Sequence, residues 1–465
     1  GMGVKKLVLN TTQMQEKAQA ARAVYEHANS MGAAFGPFAA ECIEAFLPLL
    51  QFKYAADVRA TAAQALGPVF ESACEYALSA TNAEHAILPQ SVYSPIVLTM
   101  AKQLLDEDDD DVETLSAFSE AMSSIAFSAF THANENVRAC MTCTEAKQFV
   151  TAVVKVIEKC VMRRKVIIQL MLSGAVDEDE MIEFEDVLSV QSEFLTGLVD
   201  SVGYTLKTLK QLFVPVFDSV VAPFFTPLLK ASSNPDSKAR FGAICLFDDC
   251  VEHCGDEAAA KYGTLLAGAV AEGVQDSDLE LREASVYGVA QLARRAPQEC
   301  LKSIALPLVQ HLANIAKEGI EKEKVDIKNI RLVENSASAL ATMTLFKSSP
   351  FLQIPVPRAD IINIFLCNLP LQEDFDEAKF CHDGFCDLVE NGDIALTQNL
   401  TKVLKVIGEV TDAVNDGHEM ATQETCGRFA SIIAAIQTQV DASLIQQAFA
   451  NLTEEAQNGI NLLMQ

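Results

Sequence analysis

Tryptophan is absent from these 465 residues, and positive charge is scarce: 35 Lys+Arg stand against 63 Asp+Glu, for a net charge of −28. That shortage argues against a role on nucleic acid or on an anionic membrane surface, because the chain as a whole repels phosphate backbones and lipid headgroups. Basic partners are favoured instead. No run reaches the roughly 18 uninterrupted apolar residues that a membrane helix requires; the nearest approach, 213–229, contains Asp218, Pro215, Pro223 and Pro227. The opening Gly1-Met2-Gly3-Val4-Lys5-Lys6 lacks the apolar core of a secretory signal, and a glycine ahead of methionine reads as a cloning remnant over residues 1–3. A soluble protein is expected. The length would ordinarily suggest several domains, yet no Pro/Gly/Ser-rich linker divides the chain, and half of its residues are apolar, ample for a core.

Catalytic signatures are missing too. There is no GxxxxGK[ST], no strand-bound GxGxxG and no GxSxG, so phosphate cradles and the hydrolase elbow lack their mark. The thirteen cysteines are odd in number and fall mostly within apolar periodic segments, as at Cys42, Cys74, Cys300 and Cys426. Reduced, buried thiols in a cytosolic or nuclear protein fit that pattern better than a disulfide framework; the acceptor triplets at Asn10, Asn399 and Asn451 are then fortuitous. Cys140-Met141-Thr142-Cys143 has no second CxxC and no nearby histidine. Cys250, His253 and Cys254 share a helix face, and Cys381, His382 and Cys386 form a looser group, but neither has a fourth ligand in sequence. The expectation is a protein without enzymatic activity, metal or cofactor.

What is present is a pattern. Apolar residues recur at spacings of three and four almost from end to end, which predicts helix after helix, with short turns of Asn, Asp, Gly or Pro between antiparallel partners. Self-similarity follows. Leu47-Pro48-Leu49-Leu50 leads to Asp57-Val58-Arg59-Ala60; Thr226-Pro227-Leu228-Leu229 leads to Asp236-Ser237-Lys238-Ala239-Arg240. Thr264-Leu265-Leu266 leads to Asp278 and Arg282, and Leu306-Pro307-Leu308-Val309 leads to Asp326 and Lys328. This is similar to the HEAT repeat, with a helix A, a turn carrying Asp, and a helix B with an early Arg. Asp at a helix start accepts otherwise unpaired amide hydrogens, and small residues early in helix B let hairpins approach closely. The predicted fold is all-α: a HEAT-repeat α-solenoid, a right-handed superhelix of antiparallel helix pairs. It forms one continuous array over 4–465, with a lone helix at 11–31 and A/B pairs in 36–79, 91–131, 144–213, 214–254, 257–295, 299–346, 358–391 and 394–440. A closing helix starts near 442, and an acidic insert lies near 174–186.

The run Cys245-Leu246-Phe247-Asp248-Asp249-Cys250-Val251-Glu252-His253-Cys254 and the segment 281–289 resemble the C-terminal half of the importin-5 family, the karyopherin beta nuclear import receptors. Glu334-Asn335-Ser336-Ala337-Ser338-Ala339-Leu340, Asn368-Leu369-Pro370-Leu371-Gln372-Glu373-Asp374 and Cys386-Asp387-Leu388-Val389-Glu390 also look like that family, in its order. The resemblance implies a receptor moving between cytoplasm and nucleus through the nuclear pore, binding basic cargo, Phe-Gly nucleoporins and Ran, with Ran bound through an N-terminal half that has no counterpart here. The runner-up is a HEAT scaffold of another complex, such as a phosphatase or chromosome-associated subunit; a thiol or metal enzyme comes third.

B helices would line the concave face, so their charges bear on cargo. Residues 144–173 carry six basic and two acidic residues, 181–213 five acidic and two basic, and 373–391 seven acidic and one basic, whereas 278–295 is neutral. Candidate cargo-binding residues are therefore Asp108, Asp109, Asp110 and Asp111 in one turn, Asp177, Glu178, Asp179 and Glu180 in another, and the inner carboxylates Asp248, Asp249, Glu252, Asp383 and Asp387. They would act by long-range attraction of Lys/Arg-rich segments. The 25 phenylalanines are assigned to the core one by one, and no Phe-Gly pocket is assigned.

Overall fold

The computed structural model describes residues 11–79, 87–108, 111–132, 141–174, 176–232, 234–351 and 356–464. Among these residues every regular element is helical. The chain divides into two compact units, Gly1–Ala258 and Ala259–Gln465. In the first, α1 (Thr11–Met31) precedes the pairs α2 (Gly36–Phe46) with α3 (Ala56–Ser79), α4 (Ile87–Asp106) with α5 (Val112–Thr131), and α6 (Cys143–Leu172) with α7 (Glu178–Leu209). A broken helical stretch containing α8 (Val214–Val216) and α9 (Ala222–Phe225) then leads to α10 (Ser237–His253). The division falls inside α11 (Asp256–Gly273). The second unit continues with α12 (Leu279–Arg295), α13 (Glu299–Lys302), α14 (Ala305–Ala316), α15 (Ile330–Thr344), α16 (Arg358–Asn368) and α17 (Phe375–Glu390). It ends with α18 (Leu396–Asn415), α19 (Gln423–Gln439), α20 (Ala442–Ala450) and α21 (Glu454–Leu463).

The second helices of successive pairs stack on one another, α3 on α5, α5 on α7 and α7 on α10 in the first unit, and α12 on α15, α15 on α17 and α17 on α19 in the second. Small residues make this possible. Ala60, Ala62, Ala63 and Ala65 in α3 are all at most 3% exposed, so the backbones on either side come close. Phenylalanine fills the remaining space: Phe70, Phe118, Phe149, Phe213, Phe217, Phe247, Phe365, Phe385 and Phe429 are wholly buried, as the core assignment expects.

Turn chemistry sets the helix starts. Asp236 accepts from the amides of Lys238 and Ala239, and Asp278 from that of Leu281. Asp177 and Thr142 each close a reciprocal box with a glutamate three residues on, Glu180 and Glu145. Asp57 departs from the pattern: it sits within the first turn of α3 and pairs with Arg22 of α1 at 2.5 Å. Two further departures have a cause in the backbone. The helix expected from 214 is interrupted, because Pro215, Pro223 and Pro227 each open a short new segment and a wider π turn lies between them. The closing helix is two, and α21 returns onto α18. There Gly408 and Gly459 let the backbones touch: a Cβ on Gly408 would stand 2.1 Å from the Ala456 carbonyl oxygen. The helical stretches 11–51 and 178–228 also reach a mean hydropathy of 1.4 and 1.3 over 18 residues, more than the expectation of no spanning run allowed for; Gly32 and the three prolines break them.

A guanidinium–carboxylate fork bridges the hairpins inside each unit. Arg59 of α3 grips Glu107 at the end of α4 with two 2.5 Å bonds and also donates to the Phe52 carbonyl. Arg164 of α6 binds both oxygens of Asp236 at 2.7 and 2.9 Å while donating to the Leu188 carbonyl and the Ser192 hydroxyl of α7. In the second unit, Arg294 of α12 reaches Glu377 of α17 at 2.6 and 2.7 Å, lies over the Phe380 ring, and shares that carboxylate with the Ser338 hydroxyl of α15. One buried pair thus fastens three stacked helices. Removing only the cation strands a carboxylate that is 2% exposed. Arg294→Ala is therefore expected to cost about 3–5 kcal/mol, and Arg294→Met with Glu377→Leu much less. Hydrogen exchange of α12, α15 and α17 amides checks this; equal losses in the single and double variants would contradict it.

Candidate functional site

The carboxylates singled out from the sequence divide by what they touch. Asp109 and Asp110 lie outside the described residues. Asp108 is exposed. Asp111 caps α5, accepting from the amide and hydroxyl of Thr114 at 3.1 and 2.9 Å. Glu107 of the same run is buried and given over to Arg59.

Asp248 does not face solvent at all. It is 2% exposed, its Oδ1 has no hydrogen-bond partner, and burial pushes its carboxyl well above the usual range, with Asp249 and Glu252 adding to the push. A group in that state is harder to ionise than a surface aspartate and is shut off from a partner by its burial. Asp249 beside it is 3.1 Å from Lys207 of α7. Burial pulls the Lys207 ammonium down, but the Asp249 carboxylate outweighs it and holds the lysine above its ordinary value. Glu252 is half-buried, 3.6 Å from the His253 ring. On α17, Asp383, Asp387 and Glu390 recur along one face, and Arg428 of α19 reaches all three, at 2.7, 2.6 and 2.7 Å. Lys347 also comes within 3.9 Å of Asp387; two cations against three carboxylates leave that face only mildly acidic, and most of its near field is spent within the chain itself.

The start of α7 is different. Asp177 and Glu180 cap the helix; Glu178, Asp179, Glu183, Glu185 and Asp186 follow, all exposed and with no cation partner among the described residues. The helix N-terminus tolerates this density of negative charge because its unpaired amides carry partial positive charge. Directly beside it opens an apolar cleft of about 250 Å³ between α5, α6 and α7, lined by Val112, Leu115, Val156, Val187, Val190 and Phe194, with Lys159, Arg163 and Asp186 at its edge. Val187 and Val190 are each 38% exposed, and Met162, Val166, Leu172 and Ile182 on the same long hairpin are more exposed still. Sequence reasoning placed the acids of this hairpin but not the cleft. Its signal was there in the lengths of α6 and α7, 30 and 32 residues, which exceed those of the neighbouring pairs.

The Cys/His groups hold structure together. Cys254 donates to the Lys210 carbonyl while His253 turns toward Glu252 and the Phe130 ring. His382 is fully buried: its Nδ1 faces the Met420 carbonyl at 2.9 Å and therefore donates, and its Nε2 accepts from the Leu371 amide at 3.3 Å. Burial lowers its pKa to about 4. Glu334, 1% exposed, accepts the amides of Gln372 and Glu373. The segments that carry the family resemblance are thus pinned to each other: 368–374 is held from one side by Glu334 and from the other by His382. Cys140 lies outside the described residues.

No family model matches the chain. Solved structures do. The crystal structure of Kap121p is similar over 97% of this chain and 37% of its own, at 16% identity and a TM-score of 0.69. The karyopherin Kap121p bound to the SUMO protease Ulp1p is similar over 95% and 38%, at 16% identity and a TM-score of 0.66. Kap121p bound to RanGTP is similar over 97% and 37%, at 15% and 0.67. The chain spans little more than a third of these structures' length. It has their all-helical HEAT-repeat solenoid fold.

The buried neutral imidazole has a consequence for acid stability. His382 is lowered to about 4 when folded and stands near 6.5 when unfolded, so the unfolded chain takes up the proton first and stability falls as pH drops from about 6.5 toward 4, by up to roughly 3 kcal/mol. His382→Gln keeps one donor and one acceptor. Its melting temperature is expected to vary less than that of the unmodified chain across this window; parallel pH profiles would contradict the assignment.

Proposed function

We propose that the chain is part of a nuclear import receptor of the karyopherin beta type, corresponding to the C-terminal half of an importin-5-like protein, with its hairpins in one continuous array. It binds basic cargo segments and nucleoporin Phe-Gly repeats and catalyses nothing. The observation that carries this reading is the pairing, on one hairpin, of five exposed carboxylates without a cation partner among the described residues and an open apolar cleft. Kap121p, whose fold the chain shares, has been solved bound to Ste12p, to Pho4p and to RanGTP, which supports a transport role for this fold. In this reading Ran engages repeats upstream of the present chain, and the whole receptor passes between cytoplasm and nucleus through the pore.

The mechanism is attraction followed by seating. The acidic start of α7 draws Lys/Arg-rich chains over a distance set by ionic strength, with Asp108, Asp111 and the surplus negative charge around Arg428 as secondary sources. Asp248 contributes nothing directly. The cleft between α5, α6 and α7 takes a phenylalanine side chain of a Phe-Gly repeat, burying its ring against Val187, Val190 and Phe194.

The two parts separate experimentally. Changing Glu178, Asp179, Glu183 and Glu185 to glutamine leaves the Asp177–Glu180 cap intact. It is expected to weaken a Lys/Arg-rich peptide by about tenfold at low salt, each exposed charge being worth a few tenths of a kcal/mol, and by much less once salt screens the pair. Titrations by fluorescence anisotropy at two salt concentrations check it; unchanged affinity at both removes the cargo reading. Val190→Asp is expected to abolish pull-down by a Phe-Gly repeat peptide while leaving the basic peptide bound. Retained Phe-Gly binding removes the cleft assignment.

A further inference from the structure

Glu71 and Glu75 of α3 and His132, which follows directly on α5, meet at the joint between two stacked helices. One ligand atom from each lies within 4.8 Å of the other two, and all three side chains are half-buried. The two glutamates stand one turn apart on a single face of α3, an arrangement in which like charges repel. No lysine, arginine or backbone amide among the described residues donates to either carboxylate. Gly32, at φ +50°, closes one side: a Cβ there would come within 2.9 Å of Glu75 Oε2, so the turn after α1 admits this carboxylate because it carries no side chain.

The histidine is oriented for ligation. Its Nδ1 lies 3.0 Å from the Ser128 carbonyl oxygen, which only accepts, so the proton of the neutral ring is on Nδ1 and the lone pair on Nε2. Thr131, 3.2 Å from the same nitrogen, places its own hydroxyl proton on the Phe127 carbonyl and does not compete. A ring held through Nδ1 by a backbone carbonyl keeps its other nitrogen for a ligand, the support that ligating histidines generally have. Cys74 lies between the two glutamates in sequence but is buried, 1% exposed, and is not part of the group.

We propose that Glu71, Glu75 and His132 form a binding site for a borderline divalent cation of the zinc class, held by one imidazole and two carboxylates with the remaining position open to water. Neutral imidazole and carboxylate suit zinc and its neighbours, and three protein ligands leave the coordination incomplete. The ion offsets the repulsion between the two glutamates and ties the α3 hairpin to the α5 hairpin, stiffening a joint that the stack otherwise holds by packing.

The test uses the full chain and Co²⁺ as a spectroscopic probe, with Zn²⁺ in competition, followed by equilibrium dialysis and thermal melting. The expected result is one equivalent of Co²⁺, visible ligand-field bands without a sulfur-to-cobalt charge-transfer band, displacement by Zn²⁺ and a raised melting temperature. His132→Ala and the isosteric Glu75→Gln are each expected to weaken binding by about tenfold or more while leaving the metal-free melting temperature nearly unchanged. Absence of stoichiometric binding, undiminished binding in Glu75→Gln, or a thiolate band that survives both substitutions would overturn the assignment.

Discussion

Every hairpin in this chain must be joined to the next, and within each unit a cation–carboxylate bridge does part of that joining. Arg59 to Glu107, Arg164 to Asp236, Lys207 to Asp249, Arg294 to Glu377 and Arg428 to the acids of α17 all cross from one helix to another. Stacked hairpins of small and apolar side chains could slide along one another with little change in buried area. A bidentate guanidinium fixes distance and direction together, and in a low-dielectric joint it is costly to leave half-made. Basic residues are few in this chain, and these joints take up several of them.

That use of cations determines what the surplus acid can do. Carboxylates at joints are neutralised or nearly so, and Asp248, buried without a partner on Oδ1, is pushed toward its neutral form. The first two turns of α7 remain: their carboxylates lie in solvent, tolerated by the helix N-terminus, beside an apolar cleft that the long α6–α7 hairpin leaves open. Among the described residues the acids opening α7 therefore lie in solvent, whereas Asp248 is buried and Asp249, Asp383 and Asp387 are paired with cations of neighbouring helices.

The helices were readable because their causes are local. A spacing of three and four places apolar residues on one face, and an Asp or Thr ahead of it caps the first turn, as Asp236, Asp278 and Thr422 do. Asp57 misled because a cap and a first-turn residue look alike two positions apart: the helix opens at Ala56, so Asp57 is already its second residue. The break after 210 was foreshadowed by three prolines, but their effect depends on which amides the stack needs. The sites were harder to read. Asp383 and Asp387 look like an open acidic face until Arg428, more than forty residues later, folds onto them, and Glu71 and His132 are sixty-one residues apart. Partners at such distances leave no periodic trace. Within the motifs that carried the family resemblance, Glu334 and His382 clasp the 368–374 turn, which gives those two residue types a structural reason to stand where they do.

The central claim is that acids at the joints hold the fold while the acids opening α7 receive the partner. Hydrogen–deuterium exchange of the full chain with and without a saturating Lys/Arg-rich peptide tests it most directly, because it reports where the peptide lies rather than how tightly. The account requires new protection in the first turns of α7 and along the facing part of α6, with α10 and α17 unchanged. Protection confined to α10 and α17, leaving 177–190 as it was, would contradict it.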